Sequence, residues 1–550
     1  MRKFALNAAG RSAVLLLMGA SVAGVPAAVG RAGQENTTRE FEKILTMPSG
    51  QTLSLEHKLG QIHIHGENGR EVKISASIHV QARTKEEASK FGEEIRIEVS
   101  QDAQGIKVRT VYPEGGNWSS GIVAGNGASI SMGKRSYSVD YDINVPADAK
   151  LWVKNDFGNV EVEGVQGWID VDNSHGQLAL RNAGAAKLTN AFGGVQADGI
   201  EGALTIVNSN GTVNVSNVKG ALDVKDRFAT ITIANIQGTV SVSGTNGTVV
   251  VADAGASTIN ESFGTISVRN IHGNLVANSN NGTIEVNSIH GSAQLSGSFG
   301  AISFSNVTGY VKCMTTNGRV SGRQTGDEVY VVTSFGEVSL EEINGAVEVE
   351  DSNGAINVRE AKGKATLTTS FGSINASGLR KGVRATTGNG AIHLTDVAGQ
   401  AYAKTSFGAV QAQRLNDNLT IENANGAVSA EAVRGDVSAK TSFGAVTLSD
   451  IAGTITVDNQ NGAILISTER TSPGCRNISA KTSFSPIRIQ LPDGLGYNVN
   501  ARTSSGRITT DLPVTTSGTL GGDTLNGKIG NGGCLLTLTN SNANIEIVKK

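Results

Sequence analysis

Thr405-Ser406-Phe407-Gly408-Ala409-Val410-Gln411-Ala412 returns as Asn423-Ala424-Asn425-Gly426-Ala427-Val428-Ser429-Ala430, and again as Thr441-Ser442-Phe443-Gly444-Ala445-Val446-Thr447-Leu448. The step is 18 residues, and the residue before each glycine alternates between Phe and Asn. Worked outward, the pattern places Phe157, Phe192, Phe228, Phe263, Phe299, Phe335, Phe371, Phe407 and Phe443 at spacings of 35 or 36. Between them stand His175, Asn210, Asn246, Asn281, Asn317, Asn353, Asn389, Asn425 and Asn461, each followed by glycine. Every phenylalanine precedes glycine except Phe228, which precedes Ala229. Self-similarity at a fixed period is the mark of a repeat architecture.

Two residues beyond each corner the chain carries Val160, Leu178, Val195, Val213, Ile231, Val249, Ile266, Ile284, Ile302, Val320, Val338, Ile356, Ile374, Ile392, Val410, Val428, Val446 and Ile464. Seventeen of the eighteen are β-branched. Apolar residues often follow at the next alternate position, with polar ones between, which is the period of a strand with one buried face. The expected fold is therefore all-β: a parallel β-solenoid (β-helix) of about 18 rungs with 18 residues per rung, closed by irregular N- and C-terminal caps. At about 4.8 Å per rung the stack is a rod on the order of 85 Å long. Two sheets per turn and three remain equally open.

Phenylalanines two rungs apart are separated by about 9.6 Å, too far for ring pairing at 4.5–7 Å. The asparagines are too far apart to bond to one another. These distances predict large-small packing, with each ring spread over its smaller neighbour, and a Phe407→Ala cost of roughly 3–5 kcal/mol. Glycine and asparagine at the corners are expected to supply a left-handed backbone.

The 550 residues include 69 glycines, and 47 Lys+Arg against 49 Asp+Glu leave a net charge of -2. That balance argues against a nucleic-acid partner. Residues 1–32 read as a signal peptide: Arg2, Lys3 and Arg11, the apolar run Ala13–Met18, and small residues with cleavage after Ala27 or Ala32. No later segment is apolar enough to span a bilayer, so no integral membrane segment is expected in the mature chain. Residues 33–137 read as a β-rich cap with a short helix near Lys85–Phe91 and a flexible Gly/Ser loop from Pro113 to Arg135. Repeats occupy 138–472. Residues 473–550 read as final rungs and a C-terminal cap, because Phe484 breaks the spacing.

Candidate chemistry is sparse. His272 and His290, 18 apart, should stack on adjacent rungs and could share a metal, but solvated corners explain them better. His63 and His65 lie on the polar side of a strand. Glu348, Glu350 and Asp351, near Glu341 and Glu342, form an acidic group that could serve glycosidic cleavage or calcium, yet nothing around them recurs to build a cleft. Cys313 falls in a core position. Cys475 and Cys534 both lie in the C-terminal cap, and export would permit a disulfide that the sequence leaves open. Outer threonines such as Thr454 and Thr456 form no regular array, since Arg319, Glu337 and Gln411 interrupt it. No catalytic residue, metal or cofactor is assigned.

Ser138-Val139-Asp140-Tyr141-Asp142-Ile143-Asn144-Val145-Pro146, running into Leu151-Trp152-Val153-Lys154-Asn155-Asp156-Phe157-Gly158, resembles the opening of a bacterial putative-adhesin β-strand-repeat domain, a family of unknown function. Gly527-Lys528-Ile529-Gly530 through Asn544-Ile545-Glu546-Ile547 resembles its ending. The resemblance covers about 138–550 well and 36–137 loosely. It implies an exported β-solenoid of the periplasm or cell surface with an adhesion or envelope role, and brings no catalytic residues. The expected function is non-enzymatic binding of an envelope, polysaccharide or protein surface. The alternatives are a carbohydrate-active β-helix such as a polysaccharide lyase, and a scaffold that self-associates end to end.

Overall fold

The computed structural model describes residues 35–113, 130–132, 135–468, 474–516 and 521–550. The expected signal peptide, and residues 114–129 of the Gly/Ser-rich stretch, lie outside the described residues. Among the described residues there are 52 strands and one helix.

A single turn shows how the sequence folds. Ile392–Val397 runs along one sheet and buries Ile392, Leu394 and Val397; Ala401–Thr405 returns along a second sheet and buries Ala401 and Ala403. The next turn lies on it in parallel register, Ile392 against Val410 and Ala401 against Leu419, each 18 residues on. Two strands per turn settle the cross-section as two facing sheets. The result is a β-solenoid of about 18 turns. The eighteen aliphatic residues from Val160 to Ile464 form one interior file, none more than 1% exposed. Each contributes roughly 1.5–3 kcal/mol by burial before chain entropy is counted.

The positive φ expected at the corners is found at Gly158, Gly176, Gly193, Gly211, Gly264 and Gly300, at +125 to +143°, but not at the corner asparagines, and a second column of left-handed residues stands within the strands. In Ile392-His393-Leu394-Thr395-Asp396-Val397 both Thr395 and Asp396 face outward before Val397 turns in. Asp396 makes this possible by adopting φ +56°, and Arg414, Ala432 and Asp450 do the same in the following turns. This second column therefore belongs chiefly to non-glycine residues. At corners such as Gly372, Gly390 and Gly408 the requirement is steric: a Cβ would overlap the carbonyl oxygen of the corner glycine one turn below. Glycine is needed there because the turns stack backbone on backbone.

Both ends are closed by tucking a rung inside its neighbours. Thr52–Leu59 lies between Gly105–Val111 and Lys150–Phe157, and Ile62–Glu67 lies between Arg135–Pro146 and Val160–Glu163. The antiparallel strands Glu35–Thr46 and Glu71–Ala82, with the helix Lys85–Glu94, finish that end. At the other end the break in spacing is an insertion of five residues: Ile455 pairs with Ile478, 23 residues on rather than 18. The last rung then slips inward. Cys534–Asn540 lies between Ile478–Thr482 and Tyr497–Arg502, and Ile545–Lys549 lies between Ile487–Leu491 and Ile508–Thr510. A disulfide joins Cys475 to Cys534, tying the insertion to the tucked strand.

Candidate binding edge

The corner phenylalanines face water. Phe192, Phe228, Phe263 and Phe299 are 52–57% exposed, and Phe335, Phe371, Phe407, Phe443 and Phe484 are 62–64% exposed. This corrects the packing expected from their spacing. The corner directs the residue three before each glycine inward, so the residue immediately before the glycine projects from the edge. Phe484 continues the file despite the insertion, because Ser483 N–H bonds to Gln460 as Ser442 N–H bonds to Ala424. Only Phe157, at the start, is partly buried. The exposed rings thus stand in one straight line along the edge, one in every second turn.

Several of the asparagines between the rings tie one corner to the next. Asn210, Asn353 and Asn425 each donate from Nδ2 to the carbonyl of the residue preceding the phenylalanine one turn below, at 3.0–3.3 Å. His175 takes the same place: its ring nitrogen lies 3.3 Å from the Asp156 carbonyl oxygen, and its ring stacks between Phe157 and Phe192 at 4.5 and 4.9 Å.

Behind the edge runs a buried polar column that the sequence reading missed. Thr369, Thr387 and Thr405 each donate to the corner glycine carbonyl one turn below and accept from the glycine N–H of their own corner, at 2.9–3.3 Å. Asn423 and Asn459 perform the same task. In the first turns the side chains bond to one another, Asn155 to Asn173 and Asn173 to Asn190, each at 3.2 Å. An asparagine ladder exists, but on this inner column rather than at the Asn-Gly positions. The Thr or Asn that recurs three residues before most corner glycines was its signal.

The column departs from Thr and Asn in several turns, most sharply in one stretch. Its members in three successive turns are Asp226, Gly244 and Glu261. The Glu261 carboxylate occupies the space that a Gly244 side chain would fill. Burial, with a smaller push from Asp226, raises its pKa to about 7 although Ser262 and Phe263 N–H groups donate to it. Burial also raises Asp226.

The other candidates are dispersed. His272 and His290 stack at 5.1 Å, as their spacing implied. His63 approaches Glu161 at 3.5 Å on the outer face, while Ile62 and Ile64 point inward. The acidic group is not a group: Glu348 and Glu350 lie outward on the second sheet, Asp351 turns inward to cap Asn353 N–H, and Glu341 pairs with Arg359 on the first sheet. Glu342 occupies the left-handed column. Among the described residues no three His, Cys, Asp or Glu side chains converge as metal ligands. Cys313 is buried in the core, where burial pushes its thiol up to about 12.

The N-terminal cap hides a further cluster without a motif. His57 is 3% exposed and its Nδ1 lies 3.0 Å from Thr110 Oγ1, which in turn bonds to Tyr141 at 2.7 Å. Burial drives its pKa down to about 3, keeping the imidazole neutral.

No family model and no curated protein matches the chain. A solved structure described as a putative cell adhesion protein from Clostridium sporogenes is similar over 48% of this chain and 100% of its own, at 13% identity and a TM-score of 0.18. A score that low carries no argument. No described helix is long and apolar enough to cross a membrane.

Proposed function

We propose that this chain is an exported, non-enzymatic binding protein of the cell envelope or surface, and that the phenylalanine file is the face that binds. The observation that carries the reading is the line of nine rings held in water by a rigid, repeated corner. Scattered exposed apolar residues need no explanation, but nine aligned on one edge do. The separation of the acidic residues onto opposite sheets leaves the lyase alternative without a constellation to support it. The adhesin resemblance of the opening and closing segments agrees with this reading.

The test is binding of the purified chain to isolated envelope material and to a panel of purified polysaccharides, measured by surface plasmon resonance. Phe371→Ser/Phe407→Ser/Phe443→Ser is expected to abolish binding, whereas Arg384→Ser/Tyr402→Ser, on the outer face of the second sheet, is expected to leave it unchanged. Binding indifferent to the triple substitution would overturn the assignment of the face. Polysaccharide turnover abolished by a point substitution would overturn the non-enzymatic reading.

A further inference from the structure

The phenylalanine file is a comb. Its teeth recur every second turn, about 9.6 Å apart, over roughly 75 Å from Phe192 to Phe484. The gaps lie above asparagines whose side chains are tied down to the turn beneath, as in Asn353 and Asn425. A flat ring placed midway in a gap would sit about 4.8 Å from the phenylalanines on either side, within the range of favourable ring pairs. The molecule itself fills one such gap. His175 lies between Phe157 and Phe192 at 4.5 and 4.9 Å, with its plane within 15° of both.

We propose that the occupant of the remaining gaps is a second copy of this chain, whose own phenylalanines interleave with these to form an isologous dimer along the edge. The proposal rests on the reading of the file as the binding face and names its partner. A comb whose tooth spacing is twice the stacking distance is complementary to itself when shifted by half a period. The area suffices: nine rings at 52–64% exposure, from roughly 200 Å² per phenylalanine, present roughly 1,000 Å² per copy, against roughly 800 Å² per partner in a standard interface. The flanking residues permit close approach. Ser370, Ser406, Ser442, Ala391, Ala409 and Ala427 are small and uncharged, and Arg319 and Glu337 beside the edge neutralise each other at 3.1 Å; Arg227, exposed beside Phe228, is the flanking charge a partner must accommodate. A contact that repeats its own symmetry closes as a pair rather than growing as a fibre.

Sedimentation velocity of the chain at pH 8, across a hundredfold range of concentration, tests this. The wild type is expected to dimerise, and Phe371→Ser/Phe407→Ser/Phe443→Ser to weaken dimerisation at least tenfold with unchanged circular dichroism. A second variant separates interleaving from general stickiness. Asn389→His/Asn425→His fills two gaps in the way His175 does and is also expected to weaken dimerisation at least tenfold, although it adds rings. Equal or tighter association of that variant would overturn the interleaved dimer. A wild type that stays monomeric while still binding envelope material through the file would overturn the second copy as partner and leave the binding face standing. A monomer that also binds nothing would sink both.

Discussion

Asn425 Nδ2 donates to the carbonyl oxygen of Ser406 at 3.2 Å, directly before the exposed ring of Phe407. The corner is thus held by its small polar members and not by its largest apolar one. Urea denaturation should rank the three positions in an order opposite to their size. Thr405→Val leaves the buried Gly390 carbonyl and Gly408 N–H without their partner and should cost about 1–3 kcal/mol. Asn425→Ala should cost about 1 kcal/mol. Phe407→Ala should change stability by less than about 1 kcal/mol, as exposed positions do.

Ala432 adopts φ +56° in the left-handed column, a conformation that costs an L-residue roughly 1–2 kcal/mol. Ala432→Gly should therefore raise stability by about 0.5–1 kcal/mol after glycine's own entropic cost. Ala430→Gly, two residues earlier at a buried strand position, should lower it. Paired thermal melts of the two variants give the comparison.

The repeat length, the buried aliphatic file and the parallel stacking were legible because period-two alternation and an 18-residue step leave few alternatives. The direction of Phe407 was not. Spacing sets which residues lie in one column, but the side on which that column falls depends on the corner, and the inward slot goes to Thr405 or Asn423, whose polar atoms can satisfy backbone groups that a ring cannot. The left-handed backbone expected of the corner glycines is present at six of them, from Gly158 to Gly300, but the second column was not legible: in Thr395-Asp396 the double outward step looks like a lapse in alternation rather than a backbone device. His57 has no motif, and only its tertiary neighbours explain its burial. The Cys475–Cys534 pairing needed the tucked last strand, which no spacing announces.

Glu261 supplies a pH dependence. Its folded pKa of about 7 lies above the ordinary value of 4.5, so the folded chain holds the proton more tightly than the unfolded one. Stability from this group is greatest below about pH 4.5, falls as pH rises, and is lowest above pH 7. Glu261→Gln should remove that fall and raise stability at pH 8 by up to about 3 kcal/mol. His57 acts in the opposite sense. Its folded pKa of about 3 lies below the ordinary 6.5, so the N-terminal cap should lose stability as pH falls from 6.5 toward 3. Denaturation curves from pH 4 to 8, with hydrogen exchange resolving the cap from the mid-rod turns, would separate the two slopes.

Reduction of Cys475–Cys534 opens a loop of 59 residues, for which chain-entropy reasoning gives a stabilisation of about 4 kcal/mol. The effect should be confined to the C-terminal turns. Hydrogen exchange over Cys534–Asn540 should accelerate on reduction, while exchange at Ile392–Val397, several turns away, should not change.

The most direct measurement is fluorine NMR of the chain labelled throughout with fluorophenylalanine, with a soluble paramagnetic agent added. The chain has 14 phenylalanines, of which nine, from Phe192 to Phe484, stand on the edge, while Phe91 and Phe304 are buried. At concentrations low enough for single molecules, nine resonances should broaden strongly together, and those of Phe91 and Phe304 should stay sharp. Protection of the edge rings to the same degree as Phe304 would mean that they pack inside the rod, and the binding face would not exist.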